Sequence, residues 1–237
     1  MKVLLLFFLP FFICPDAQAF PGVQTNTCLE CHGNNEPSKQ EIGERAPFLA
    51  EQFSMNWLMY EFNSIQPPPF SAIPTPHKIS RGQTHYDWSK KRMIEIYFDR
   101  CINIFPTGND FSCKFISDHD KTYLIKFTVG TLETPKSCCL WSKEPFWAPR
   151  PDVLRNMRFH KKTKSEGQTI NWWIYDIPLP GPFGYGTSKN LPRPVAFWFP
   201  VIDAWVQQNF FDYKEEKPDH KVFDLPQVCQ SDLRVCD

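Results

Sequence analysis

The stretch Lys121-Thr122-Tyr123-Leu124-Ile125-Lys126-Phe127-Thr128-Val129 carries the pattern that decides the fold. Tyr123, Ile125, Phe127 and Val129 alternate with Thr122, Leu124, Lys126 and Thr128, and this period of two predicts a half-buried strand. Upstream, Ile94, Ile96 and Phe98 alternate in the same way with Glu95, Tyr97 and Asp99. Successive side chains of a strand point to opposite sides. Both runs are therefore expected to turn one face to a core and the other to water. Shorter strand candidates are residues 111–116, 170–177, 195–199 and 207–213, and Asp118-His119-Asp120 reads as a hairpin turn. Helical signals are weak: a short helix around residues 50–60 and a single turn within 202–208.

Composition points the same way. Aromatic residues make up 16% of the chain and prolines number 23. Proline stops helices, whereas aromatic side chains favour pleated, half-buried surfaces. The expected class is mainly β: curved antiparallel sheets or a half-open barrel around a hydrophobic interior, stapled by disulfides. Residues 20–50 are polar and irregular and read as an N-terminal arm. Residues 51–237 read as a single β domain, crossed by a proline-rich loop from Gln66 to Pro76.

Residues 1–19 have the form of a signal peptide: Lys2, the apolar run from Val3 to Ile13, then Ala17-Gln18-Ala19, which sets Phe20 as the expected mature start. The apolar run is shorter than the about 20 residues that span a bilayer. A secreted, extracellular protein without a membrane anchor is expected. Of the nine cysteines, cleavage removes Cys14 and leaves Cys28, Cys31, Cys101, Cys113, Cys138, Cys139, Cys229 and Cys236. An even number in an exported chain fits a disulfide framework whose connectivity the spacing does not resolve. Cys138 and Cys139 are adjacent, so on a strand they point to opposite faces and reach different partners. Cys28-Leu29-Glu30-Cys31-His32 also has the form of a covalent haem-attachment site. The alternative reading is thus an exported c-type haem electron-transfer protein, with Met55, Met59 or His77 as the distal ligand.

The formal net charge is zero, with no basic run, so no nucleic-acid partner is expected. The six histidines lack metal-ligand spacing, and no Gly-x-Ser-x-Gly elbow occurs. Gly184-Tyr185-Gly186-Thr187-Ser188 lacks the context of a nucleophile or phosphate loop, and Asp118-His119-Asp120 reads as a solvated turn rather than a cation site. A non-enzymatic protein is expected, with no catalytic and no metal-ligating residues assigned.

Several landmarks occur in order. Tyr86-Asp87-Trp88-Ser89-Lys90-Lys91-Arg92-Met93 leads into the strand before Cys101, and Lys121-Thr122-Tyr123-Leu124-Ile125 precedes a Trp/Pro-rich stretch. The tail combines Phe211-Asp212-Tyr213, Pro218-Asp219 and Phe223-Asp224-Leu225-Pro226-Gln227-Val228-Cys229. Over about residues 50 to 230 this series resembles the ependymin-related family of secreted proteins. The resemblance implies a fold similar to bacterial lipoprotein carriers, binding of lipid or another hydrophobic ligand, and calcium as a candidate cofactor. Cys28-x-x-Cys31-His32, Cys138-Cys139 and the absence of Asn-x-Ser/Thr sequons depart from the family.

The expected partner is a hydrophobic small molecule or lipid, such as a fatty acyl chain, with a homodimer as a further candidate assembly. The residues expected to face it are Ile94, Ile96, Phe98, Tyr123, Ile125, Phe127 and Val129 on one wall. Trp173, Tyr175, Phe197 and Phe199 are expected on the other. If the interior is filled instead, the chain reads as an extracellular matrix or adhesion-type interaction protein.

Overall fold

The computed structural model describes residues 46–64, 66–70, 75–104, 108–141, 148–165, 167–176, 182–189, 193–230 and 233–236. Strands β1 (Gln52–Phe62), β2 (Lys78–Asp87), β3 (Arg92–Tyr97), β4 (Cys113–Asp118), β5 (Lys121–Lys126) and β6 (Ser137–Leu140) form one antiparallel meander. Strands β7 (Arg158–Ser165), β8 (Gln168–Tyr175), β9 (Phe183–Ser188), β10 (Pro194–Val201) and β11 (Ala204–Lys214) form a second. β1 pairs with β11, which fuses the two into one 11-stranded sheet bounded by β6 and β7 and not closed. The mainly β architecture with disulfides is as the alternation predicts.

Local chemistry explains the joints and one error. Asp118 pairs with Lys121 across the predicted hairpin, where His119 takes the left-handed conformation at φ 51°. Asp203 does the same at φ 56° between β10 and β11, so residues 202–208 hold a turn followed by strand rather than a helical turn. The helix expected at 50–60 is strand β1. Phe53, Met55, Trp57 and Met59 are buried at alternate positions there. Leu58 and Tyr60 at the intervening positions blurred that period, and Leu58 and the buried Met55 and Met59 favour helices intrinsically. Edge β6 is covered by the C-terminal segment: Leu140 N–H donates to the Arg234 carbonyl (2.9 Å) and Cys236 N–H to that of Leu140 (2.8 Å). Edge β7 carries Arg158, Lys161, Lys162 and Lys164, charges that discourage edge-to-edge pairing.

The sheet has two buried faces. The inner face gathers Trp57, Met59, Tyr97, Phe115, Leu124, Trp173, Phe183, Phe199 and Val206 into one cluster. The outer face of β3–β5 carries Ile94, Ile96, Ile116 and Ile125, which pack under Phe223 and Cys229 of the tail. A second outer cluster joins Trp172, Ile174, Ala196 and Trp198. The expectation that the Glu95/Tyr97 and Leu124 faces meet water is thereby corrected: Tyr97 is 1% exposed and Leu124 0%. Both faces of these strands are covered, because the 3-10 turns His220–Phe223 and Gln227–Cys229 lie over the far side.

Among the described residues three bridges serve both faces. Cys101–Cys113 ties the loop after β3 to β4. Cys138 bonds Cys229 and belongs with the outer cluster, whereas Cys139 bonds Cys236 and packs against the inner one. The adjacent pair thus reaches different partners on opposite faces, as alternation requires. Cys28, Cys31 and His32 lie outside the described residues, as do the signal-peptide residues 1–19.

Glycine makes room for indoles in two strands. Gly82 stands directly opposite Trp57, and a Cβ there would fall on the indole and on the Ile96 carbonyl. Gly184 stands opposite Trp198, where a Cβ would lie 2.5 Å from the indole nitrogen.

Gly82→Ala should destabilise the protein by about 1–3 kcal/mol, the usual cost of overpacking a filled core. Urea unfolding measures it, and a loss within experimental error would show that the indole is free to move. Replacing Cys139 and Cys236 together by alanine, which opens a link across a sequence separation of 97, should cost about 2–4 kcal/mol.

Candidate functional site

The inner face holds a cleft whose floor is built by six neighbouring strands. Phe53 and Met55 come from β1, Thr84 from β2, Met93 and Glu95 from β3, Phe183 and Tyr185 from β9, Pro194 and Phe197 from β10, and Gln208 and Phe210 from β11. Leu49 and Pro149 close one side. They are brought together because Leu49 N–H donates to the Pro151 carbonyl (2.8 Å) and the Tyr86 hydroxyl donates to the Pro149 carbonyl. Strands lie about 4.8 Å apart, so in a flat sheet β3 and β9 would be separated by about 24 Å. That both border one cleft, with Glu95 acting electrostatically on Tyr185, means the sheet curls strongly. The cavity volume is about 70 Å³, and about 700 Å³ when the space opening to solvent is counted. A cavity of this size takes a segment of a ligand, since pockets for whole drug-sized molecules run to about 300–1,000 Å³.

The lining is apolar and aromatic apart from Thr84, Glu95, Gln208 and the Tyr185 hydroxyl. Tyr185 stacks on Phe197 with ring centroids 4.4 Å apart, and Phe197 continues to Phe199 at 5.0 Å. Thr84 Oγ1 accepts from Trp57 Nε1 at 3.1 Å. Glu95 and Gln208 supply the carboxylate and the amide of the floor. Glu95 is half-buried at the cleft, and its Oε2 accepts a hydrogen bond of 3.3 Å from the Tyr97 hydroxyl. Burial raises its pKa from 4.5 to about 7, and the Tyr97 hydrogen bond offsets only part of that rise. Gln208 is 2% exposed, and its Nε2 has no hydrogen-bond partner. It lies near enough to Tyr97 to favour the phenolate, against the larger opposite effects of burial and Glu95.

The eleven residues expected to face a ligand divide between the two faces. Ile94, Ile96, Ile125 and Phe127 belong to the outer cluster under the tail, with Phe98 and Tyr123 packed against it. Val129 is exposed. None of the seven borders the cleft. Phe197 lines it, Phe199 and Trp173 sit in the inner cluster, and Tyr175 stacks on Phe183 at 5.4 Å. Of the distal-ligand candidates, Met55 lines the cleft, Met59 is buried, and His77 Nε2 pairs with Glu61 Oε1 at 3.1 Å. His119 pairs with Asp118 at 2.7 Å, and among the described residues no group of three His, Cys, Asp or Glu side chains converges. Among them, too, no helix is long and apolar enough to cross a membrane. Sequence reasoning missed Phe53, Met55, Glu95, Tyr185 and Gln208. The available signal was Glu95 itself, one carboxylate inside an otherwise apolar run.

Glu95 makes stability depend on pH with a defined sign. A carboxyl whose pKa is raised on folding binds more protons in the native state between the unfolded and folded values. Its contribution is therefore full below about 4.5 and is lost as pH rises through about 7. The loss is at most about 3 kcal/mol. Glu95→Gln should flatten that part of the pH dependence and be more stable than the parent near pH 8. Urea midpoints across this range test it, and parallel profiles for the two proteins would contradict the burial of Glu95.

No family model matches the chain, and no curated protein does. Among solved structures it is similar to an uncharacterized conserved protein from Thermus thermophilus, at 8% identity over 79% of this chain and 91% of that one (TM-score 0.45). It is also similar to a LolA superfamily protein from Nitrosomonas europaea, at 8% identity over 76% and 93% (TM-score 0.31). A third is a putative outer membrane lipoprotein-sorting protein domain from Vibrio parahaemolyticus, at 10% identity over 73% and 89% (TM-score 0.34).

Proposed function

We propose that the protein is an exported, non-enzymatic binding protein for a hydrophobic ligand, a lipid or fatty acyl chain, related to the ependymin-like secreted proteins. The observation that carries this reading is the apolar cleft on the inner face of the curled, unclosed sheet, partly open to solvent. Apolar ligands gain about 25 cal/mol for each Å² removed from water, and a preformed apolar groove collects that gain without reorganising the fold. The three disulfides support export, since such bridges persist in oxidising compartments. Among the described residues no nucleophile and base are in contact within the cleft, and its one carboxylate is held by a tyrosine rather than a histidine.

The limited volume favours a second reading. With a cavity of only about 70 Å³, the inner face is close to a filled core, as a matrix or adhesion-type protein would have. The two readings separate on one experiment. Organic extracts of natively purified protein should contain lipid by mass spectrometry, and Phe197→Trp should weaken uptake of a fluorescent lipid about tenfold by filling the cleft. Val129→Trp, on the exposed side, should leave uptake unchanged. Absence of lipid together with unchanged uptake in Phe197→Trp favours the filled-core protein.

A further inference from the structure

The polar groups of the cleft have a chemistry that the apolar walls do not explain. Glu95 presents a carboxylate whose one tyrosine hydrogen bond leaves acceptor capacity free. Gln208 presents a buried Nε2 donor that makes no well-formed hydrogen bond, with only the Tyr97 hydroxyl beside it. Both border the cleft, and both act on the hydroxyl of Tyr97, so donor and acceptor flank the same phenol. An unsatisfied buried amide donor costs free energy, and a ligand atom that accepts from it recovers that cost. Among the described lining residues there is no Lys, Arg or His to neutralise an anionic head. From the neighbouring strands the register partners of Glu95 are Thr84 and Phe115, both uncharged. Across the cleft the only titratable group it meets among the described residues is Tyr185, itself held protonated by burial.

Resting on the reading of the cleft as a site for a hydrophobic ligand, we propose that it selects lipids whose polar end is an uncharged hydroxyl, such as a long-chain alcohol, over those ending in a carboxylate. A hydroxyl is donor and acceptor at once. Its O–H donates to a Glu95 oxygen, and its own oxygen accepts from Gln208 Nε2. A carboxylate satisfies Gln208 but confronts Glu95 with like charge. An ammonium satisfies Glu95 but brings a second donor to Gln208 and leaves Nε2 without an acceptor. Discrimination therefore needs both residues, one excluding each wrong head group.

Calorimetric titration of the native, disulfide-bonded protein near pH 8 with 1-octanol, octanoate and octylammonium tests the proposal. Octanol should bind about tenfold more tightly than octanoate, the discrimination typical of a site with buried polar groups to satisfy. Gln208→Leu should weaken octanol about tenfold while leaving octylammonium unchanged. Glu95→Gln keeps the side-chain shape and should bring octanoate within about threefold of octanol. Octanoate binding should also strengthen in the parent protein as the pH falls below about 7, where Glu95 takes up its proton. Equal or tighter binding of octanoate or octylammonium overturns the head-group proposal while leaving the hydrophobic site intact. Failure of all three octyl compounds to bind overturns both.

Discussion

Trp57 and the glycine opposite it organise the centre of this molecule. The indole is fully buried on β1, where the two halves of the sheet meet, and it lies over Gly82 of β2 because that residue has no Cβ. Its Nε1 donates to Thr84, and its ring meets Tyr97 edge to face at 4.8 Å. These contacts lock three neighbouring strands on their inner side. They also set the position of the Tyr97 hydroxyl, and through it the Glu95 carboxylate. A buried aromatic pair of this geometry contributes about 0.5–1.5 kcal/mol beyond its area. The larger effect is geometric, because a polar group enters the cleft from a tryptophan-centred packing unit rather than from a mobile loop.

A sheet with two covered faces has to hold its covers in place. On the inner side, curling does it, bringing β9 and β10 over toward β3. On the outer side the cover is the C-terminal segment, and the adjacent cysteines of β6 fasten it. Cys138 holds the segment at Cys229 over the isoleucines of β3–β5, while Cys139 holds it at Cys236 beside the inner cluster. Arg92 adds a polar tie, with its guanidinium 4.1 Å from the Phe223 ring centre and bonded to the buried Asp87 at 3.1 Å. Asp87 in turn accepts from Gln52 and Ser89, so the starts of β1 and β3 and the end of β2 share one network. The tail is therefore part of the core, and trimming it would expose the apolar outer face of three strands.

The cleft places two kinds of group at odds. Its walls favour any apolar chain, whereas Glu95 and Gln208 carry hydrogen-bonding capacity that an apolar chain leaves unused. Burying such groups without partners is costly, so a wall that could have been all Phe and Met carries them at the expense of stability. The raised pKa of Glu95 records the same tension in electrostatic form.

Much of the architecture was legible in the chain. The alternations at 94–99 and 122–129 identified β3 and β5, and the shorter runs identified β4, β8 and β10. Adjacency alone required Cys138 and Cys139 to part to opposite faces. The strand at 52–62 was hidden because Leu58 and Tyr60 break its polar alternation and its buried Met55 and Met59 also suit a helix. What no local pattern contained was which side of the sheet is the interior. Period-two alternation is symmetric under exchange of the two faces, so it separates Ile94 and Ile96 from Glu95 and Tyr97 without ranking them. Only the curl of the whole sheet and the tail laid over its far side rank them. Those long-range contacts put the isoleucines under the tail and the glutamate in the cleft.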